Sequence, residues 1–147
     1  MIISLDHDFK KEIKKLVARL DRIDADATKH AREIIKVLTD KLHLEAQKRA
    51  PVDEGILAGD IKTKVVSGAS IYKIYGMVYV PANAPSSDYA LYTHEMEYNL
   101  GPQSEAKQAA DSSVIVGRKW LERALTENVR AFNMYIYTKL KEFIDHA

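Results

Sequence analysis

The chain has no cysteine, so disulfides and thiolate metal sites are excluded and assembly inside a cell is the natural expectation. An excess of either charge is also missing. The 22 lysines and arginines nearly cancel 21 aspartates and glutamates across 147 residues, leaving no global field to hold nucleic acid or an anionic membrane. Any charged partner must be met locally. No apolar run approaches the roughly 20 residues that span a bilayer, so no membrane contact is expected. Met1-Ile2-Ile3-Ser4-Leu5-Asp6 has neither the basic start nor the apolar stretch of a signal peptide, and a soluble, unprocessed chain is expected. Internal repeats, low-complexity segments, phosphate-cradling glycine loops and nucleophile elbows do not occur. The length suits one ordinary domain, 1–147, with a single core.

What is present is mostly helical pattern. From Phe9 onward, Ile13, Leu16, Leu20, Ile23, Ala27, Ala31, Ile34, Leu38, Leu42 and Ala46 recur three or four apart, which predicts a long amphipathic helix over 1–50. Neither glycine nor proline interrupts it before Pro51. Such a helix would be roughly 60 Å long, against on the order of 40 Å for a compact domain of this size. Part of it overhangs, or it breaks near Asp24-Ala25-Asp26-Ala27-Thr28, where an aspartate could serve as a new N-cap.

Residues 51–96 read as a turn and antiparallel strands. Pro51, Asp53, Gly55 and Leu57 make the structural turn. Ile61, Thr63 and Val65 alternate with Lys62 and Lys64, and Ser67-Gly68-Ala69-Ser70 is a hairpin-like connection. The run Ile71 to Val80 places Tyr72, Ile74, Val78 and Val80 on one face and Ile71, Tyr75, Met77 and Tyr79 on the other. Both faces are apolar, so this strand is buried on both sides or covered on one by another subunit. Pro81 to Asp88 is a loop, and Tyr89 to Met96 fits a strand or a short helix equally. Residues 97–114 read as a long exposed loop, with room for a helical turn over Glu105 to Ala110. Over 115–147 a C-terminal helix is anchored by Trp120, Leu121 and Leu125 and continues through Ala124, Val129, Phe132, Ile136, Leu140 and Phe143. The fold class expected is α+β, a long N-terminal helix and a C-terminal helix packed on a small antiparallel sheet.

Few residues suggest chemistry. His94-Glu95 invites a zinc-protease reading, but the second histidine that motif needs one turn on is replaced by Tyr98. Asp6-His7-Asp8 reads as an N-cap region. His30, His43 and His146 have no partner at a recognisable spacing. Asp53, Glu54 and Asp60 lack the ligand alternation of a calcium loop. No catalytic, metal-ligating or cofactor-binding residue is therefore expected. Lys10, Lys11, Lys14, Lys15, Arg19 and Arg22 stand against only Glu12 and Asp21, which is either a solvated helix exterior or a contact for DNA or an acidic protein. Tyr72, Tyr75, Tyr79, Tyr89, Tyr92 and Tyr98 cluster in the sheet and the segment after it, and tyrosine suits protein interfaces.

Three stretches in order, Ala50-Pro51-Val52-Asp53-Glu54-Gly55-Ile56-Leu57, Tyr89-Ala90-Leu91-Tyr92-Thr93-His94-Glu95 and Gly117-Arg118-Lys119-Trp120-Leu121-Glu122-Arg123-Ala124-Leu125, resemble a family of phage tail components. That family is typified by gene product ten of phage HK ninety-seven. Its alanine-proline turn falls on Ala50, Pro51, Gly55 and Leu57, its Tyr-Ala-x-Tyr-x-x-Glu segment on Tyr89, Ala90, Tyr92 and Glu95, and its last-helix start on Leu121, Ala124 and Leu125. Met96-Glu97-Tyr98-Asn99 replaces the glycine-threonine pair that commonly follows the glutamate, and Ala58-Gly59-Asp60 replaces a frequent serine, marking a divergent branch.

The resemblance implies a tail-terminator-like fold and a non-enzymatic virion protein without cofactor, assembled in the bacterial host cytoplasm. It would form a hexameric or dodecameric ring, in the neck at the head-tail junction or completing the head-proximal end of the tail. Its partners would be its own copies and other neck, connector and tail proteins, with DNA only as cargo through the ring. Tyr72, Tyr75, Met77, Tyr79, Tyr89, Tyr92, His94 and Glu95 would make the subunit or partner contacts. Two other classes stay open: a cytoplasmic binding module that uses the basic first helix, and a small hydrolase or nuclease around His94 and Glu95.

Overall fold

The predicted apolar stripe becomes helix α1, Asp24–Arg49, in a computed structural model that describes residues 10–11, 13–15, 24–67 and 73–146. Ala27, Ala31, Ile34, Leu38, Leu42 and Ala46 are all buried, as a face that repeats every three to four residues requires. Asp24 to Thr28 are helical, and the residues just before Asp24, where a break in the stripe would fall, lie outside the described residues. Leu16, Leu20, Ile23, Arg19 and Arg22 lie outside the described residues, as do the Asp6-His7-Asp8 cluster and Tyr72.

After α1 come α2 (Ile56–Asp60), strands β1 (Lys62–Ser67) and β2 (Ile74–Tyr79), α3 (Ser87–Glu95), α4 (Pro102–Ala110), α5 (Trp120–Thr126) and α6 (Val129–Asp145). Helices with one two-stranded antiparallel sheet make the chain α+β. It divides into two compact units. One comprises Asp40–Thr63 and Val78–Glu127; the other comprises the described parts of 2–39, 64–77 and 128–147.

In the second unit, Ala27 packs against Ile13, Phe143 and Ile144, and the His30 ring stacks on Phe143 with centroids 4.7 Å apart. Along α6 the buried residues are Phe132, Ile136 and Leu140, four apart. The Thr39 hydroxyl donates back to the Ile35 carbonyl at 2.7 Å, and its oxygen occupies the space where a Cβ on Gly76 would go. Only glycine lets strand and helix approach so closely. Tyr75 and Met77, the neighbours of Gly76, lie on the opposite face of β2, Tyr75 exposed and Met77 half-buried.

The first unit buries Leu42, Ala46, Ala50, Leu57, Ile61, Val78, Ala90, Val114, Val116, Trp120 and Ala124. Gly55 starts α2 with φ of 79°, a left-handed conformation that glycine adopts without steric penalty. The Asp60 carboxylate accepts the Ser86 amide at 3.0 Å and the Ser86 hydroxyl at 2.7 Å, which ties the end of α2 to the start of α3. The segment from Tyr89 is thus a helix, with Ala90 and Thr93 as its buried side.

Two expected boundaries change. Residues 97–114 are not a continuous exposed loop, because α4 forms there with Gly101 before it and Pro102 at its first position, the placement where proline's missing N–H costs nothing. The C-terminal helix is two helices, since Glu127 and Asn128 form a turn between α5 and α6. The apolar spacing carries across that turn, so periodicity alone could not reveal it. Likewise, among the described residues of 51–96, only β1 and β2 are strands.

Candidate subunit interface

Within the first unit the three sequence motifs are fastened together, mostly by polar groups. The Arg49 guanidinium, at the end of α1, is buried between two carboxylates. It donates to Glu45 at 2.6 Å and to Glu127 at 2.7 and 3.1 Å. Desolvation pulls the Arg49 ionisation down, yet these carboxylates together hold it above its ordinary value. Glu45 mirrors this: desolvation raises it, but hydrogen bonds from Lys48 and Arg49 and their charges bring it below the usual carboxylate range. The Arg49 carbonyl accepts the Gly117 amide at 2.9 Å, joining the residue just before the first motif to the third.

Helix α4 closes over the same corner with a polar face. The Ser104 hydroxyl accepts the Val52 amide at 2.8 Å and lies 3.0 Å from the Val52 carbonyl, to which it donates. Lys107 donates to the Gln47 and Ala50 carbonyls, capping the C-terminus of α1 with a positive charge. Burial pushes the Lys107 ammonium below its ordinary value. The Gln108 side chain donates to the Val114 carbonyl at 2.7 Å and accepts the Val116 amide at 2.8 Å.

The second and third motifs meet at His94. Its Nε2 accepts the Glu122 amide at 3.3 Å, satisfying one of the free N–H groups in the first turn of α5. That assigns the proton to Nδ1, which donates to Glu95 at 2.7 Å. The imidazole also stands edge-on to Trp120, centroids 5.6 Å apart. Lys119, in the left-handed region at φ 58°, sends its amide to the His94 carbonyl at 2.9 Å and its ammonium to Glu95 at 2.7 Å. Hydrogen bonds from Lys119 and then His94 hold the Glu95 carboxyl below its usual range. Tyr98 donates to the Thr93 carbonyl at 2.9 Å, and desolvation pushes its phenol up to about 12.

His94 is therefore a capping residue. Among the described residues no group of three histidines, aspartates or glutamates is placed to hold a metal ion. Trp120 is buried and Leu121 and Leu125 are partly so. Of the turn residues, Pro51 and Leu57 are buried and Asp53 is exposed.

The residues expected to contact other subunits divide between the units. Tyr75 and Met77 belong to the second; Tyr79, Tyr89, Tyr92, His94 and Glu95 belong to the first. In the first unit α3 turns an apolar side outward: Leu91 is 67% exposed, Tyr92 52% and Met96, just beyond the helix, 53%. The Tyr92 and Tyr98 rings lie 6.0 Å apart. Sequence reading named Tyr92 but passed over Leu91 and Met96, and it missed Arg49, Ser104, Lys107 and Gln108. The Glu45/Arg49 spacing of four and the Ser104, Lys107, Gln108 spacing of three and one were the available signals.

No family model, curated protein or solved structure matches the chain. Among the described residues no helix is long and apolar enough to cross a membrane.

Proposed function

We propose that this chain is a structural protein of a tailed bacteriophage virion. It forms a ring in the neck at the head-tail junction, or completes the head-proximal end of the tail, and has no catalytic role. The observation that carries the reading is the outward side of α3. Leu91, Tyr92 and Met96 are exposed on a helix whose other side is fixed by buried Ala90 and Thr93, so the apolar surface is held in place rather than loosely displayed. Large exposed apolar side chains grouped this way mark protein contacts. A ring needs such a surface on every copy. The motif resemblance supplies the phage assignment, with neck, connector and tail proteins as neighbours and DNA as cargo.

Light scattering of the purified chain across a concentration range tests the ring. A six- or twelve-fold mass is expected; a constant monomer mass, alone and with candidate neck or tail partners, would overturn it. The binding-module reading draws on Lys10, Lys11 and Lys14, which are exposed. It requires DNA binding that weakens steeply between two salt concentrations.

A further inference from the structure

The near-neutral chain is the sum of two oppositely charged units. Residues 40–63 and 78–127 hold twelve acidic and eight basic side chains, whereas 2–39, 64–77 and 128–147 hold nine acidic and fourteen basic ones. Two surface patches carry charges of the same two signs. On α3, Asp88, Leu91, Tyr92 and Glu95, spaced three, one and three, share one exposed side with Met96 beyond them. Burial raises the Tyr89 phenol and the nearby Asp53 charge adds to it, which places Asp53 beside this helix. Glu95 and Glu97 are tied to Lys119 and Arg118, so Asp53 and Asp88 supply most of the rim charge. In the second unit, exposed Lys73 stands just before β2, two positions ahead of exposed Tyr75 and four ahead of half-buried Met77, and exposed Lys64 lies on β1, the strand paired with β2. No acidic residue occurs between Ile61 and Ser87 in the sequence.

We propose that copies of this chain join head to tail, the acid-rimmed apolar side of α3 on one copy seating on the lysine-rimmed Tyr75 and Met77 face of β2 on the next. The proposal rests on the ring reading for self-assembly and adds which surfaces meet. Pairing α3 with α3 across a two-fold axis would set Asp88 and Asp53 against their own kind, and pairing two β2 faces would do the same to the lysines. Like charges brought together oppose association, whereas opposite charges steer and register it. Each copy then carries both halves of one heterologous interface, which closes into a ring when the rotation permits.

Sedimentation velocity of the full chain tests this with two exposed-surface variants, Leu91→Ser/Tyr92→Ser and Lys64→Glu/Lys73→Glu, checked for folding by circular dichroism. Wild type is expected to associate, and to associate less as salt rises. Each variant alone should associate at least about tenfold more weakly. An equimolar mixture should restore a dimer and no larger species, because each variant keeps the half that the other lacks. If wild type assembles and either variant assembles as well, the surfaces are wrongly assigned while the ring reading stands. If both variants are monomers and their mixture is too, the two patches do not meet each other. A wild-type monomer at every concentration and salt removes this proposal together with self-assembly.

Discussion

The two units hold their shape by different physics. In the first, Arg49, Ser104, Lys107, Gln108, His94, Tyr98 and Asp60 all make side-chain hydrogen bonds, many of them to backbone amides and carbonyls. In the second, the buried side chains among the described residues are Ala27, Ala31, Ile34, Leu38, Phe132, Ile136 and Leu140, with Thr39 as the polar exception. A unit made of short helices and turns has many backbone groups that no helix or strand ladder satisfies, so side chains must reach them. A unit made of long helix segments satisfies its backbone internally and needs only an apolar seam. The first should therefore respond to pH and to loss of single polar atoms, the second to loss of methyl groups.

Acid gives the largest separation. Glu45, Asp60, Glu95 and Asp111, all in the first unit, are held below their ordinary values: Asp60 and Asp111 by hydrogen bonds from Ser86 and Ser113, Glu95 by Lys119, and Glu45 by Lys48 and Arg49 against desolvation. A carboxylate depressed in the folded state contributes stability that is complete above its unfolded value and disappears as pH falls through its folded value. Protonating Glu45 also strips the buried Arg49 cation of one of its counter-charges. The single tryptophan, Trp120, reports on this unit. As pH drops below 4.5, the reference carboxyl value of a glutamate, Trp120 emission should shift to the red before helical ellipticity is lost. Coincident transitions would show that the first unit has no special dependence on its carboxylates.

Next in size is Leu38→Ala. Leu38 is fully buried in the second unit, and removing such a side chain should cost about 3 kcal/mol in urea unfolding, with the same cost at pH 7 and pH 5. Arg49→Met should cost about 2 kcal/mol at pH 7, because the stem still packs while Glu45 and Glu127 lose their donor. Lowering the pH should shrink that difference, since the wild-type pairs weaken too. An Arg49→Met penalty that stayed constant into acid would erase the contrast with Leu38→Ala. Gly76→Ala follows at about 1–3 kcal/mol, because its Cβ would meet Thr39; Thr39→Gly in the same chain should recover part of the loss.

The same contrast explains what could be read from the sequence. Ala27 through Ala46 and Phe132, Ile136 and Leu140 announced themselves by spacing, since an apolar seam writes its period directly into the chain. The α+β class followed from these and from the alternation around Lys62 and Lys64. Helix α4 was legible only as room for a turn over Glu105 to Ala110, because its inward residues are Ser104, Lys107 and Gln108, and a polar inward side looks like a solvent-facing one. Arg49 was hidden in the same way: its partner Glu127 is 78 positions away, and no local pattern records that. Tyr92 was legible as a contact candidate from its type alone. Leu91 and Met96 needed the helix to be placed before their exposure could mean anything, and His94 needed α5 before its capping role was visible.

The smallest effect is also the sharpest probe of the first unit. Ser104→Ala removes one oxygen that serves the Val52 amide and the Val52 carbonyl together, at 2.8 and 3.0 Å. Both backbone groups lie just after the buried Ala50-Pro51 pair, where replacement water has limited access, so the loss should be about 1 kcal/mol. A local event should accompany it. Without that contact α4 keeps only Lys107 and Gln108 as anchors, and hydrogen exchange at Val52 and Val116 should speed up while exchange at Leu38 and Ile136 stays as it was. If all four amides quickened equally, the first unit would not open separately from the second, and the polar fastening would be part of one cooperative structure.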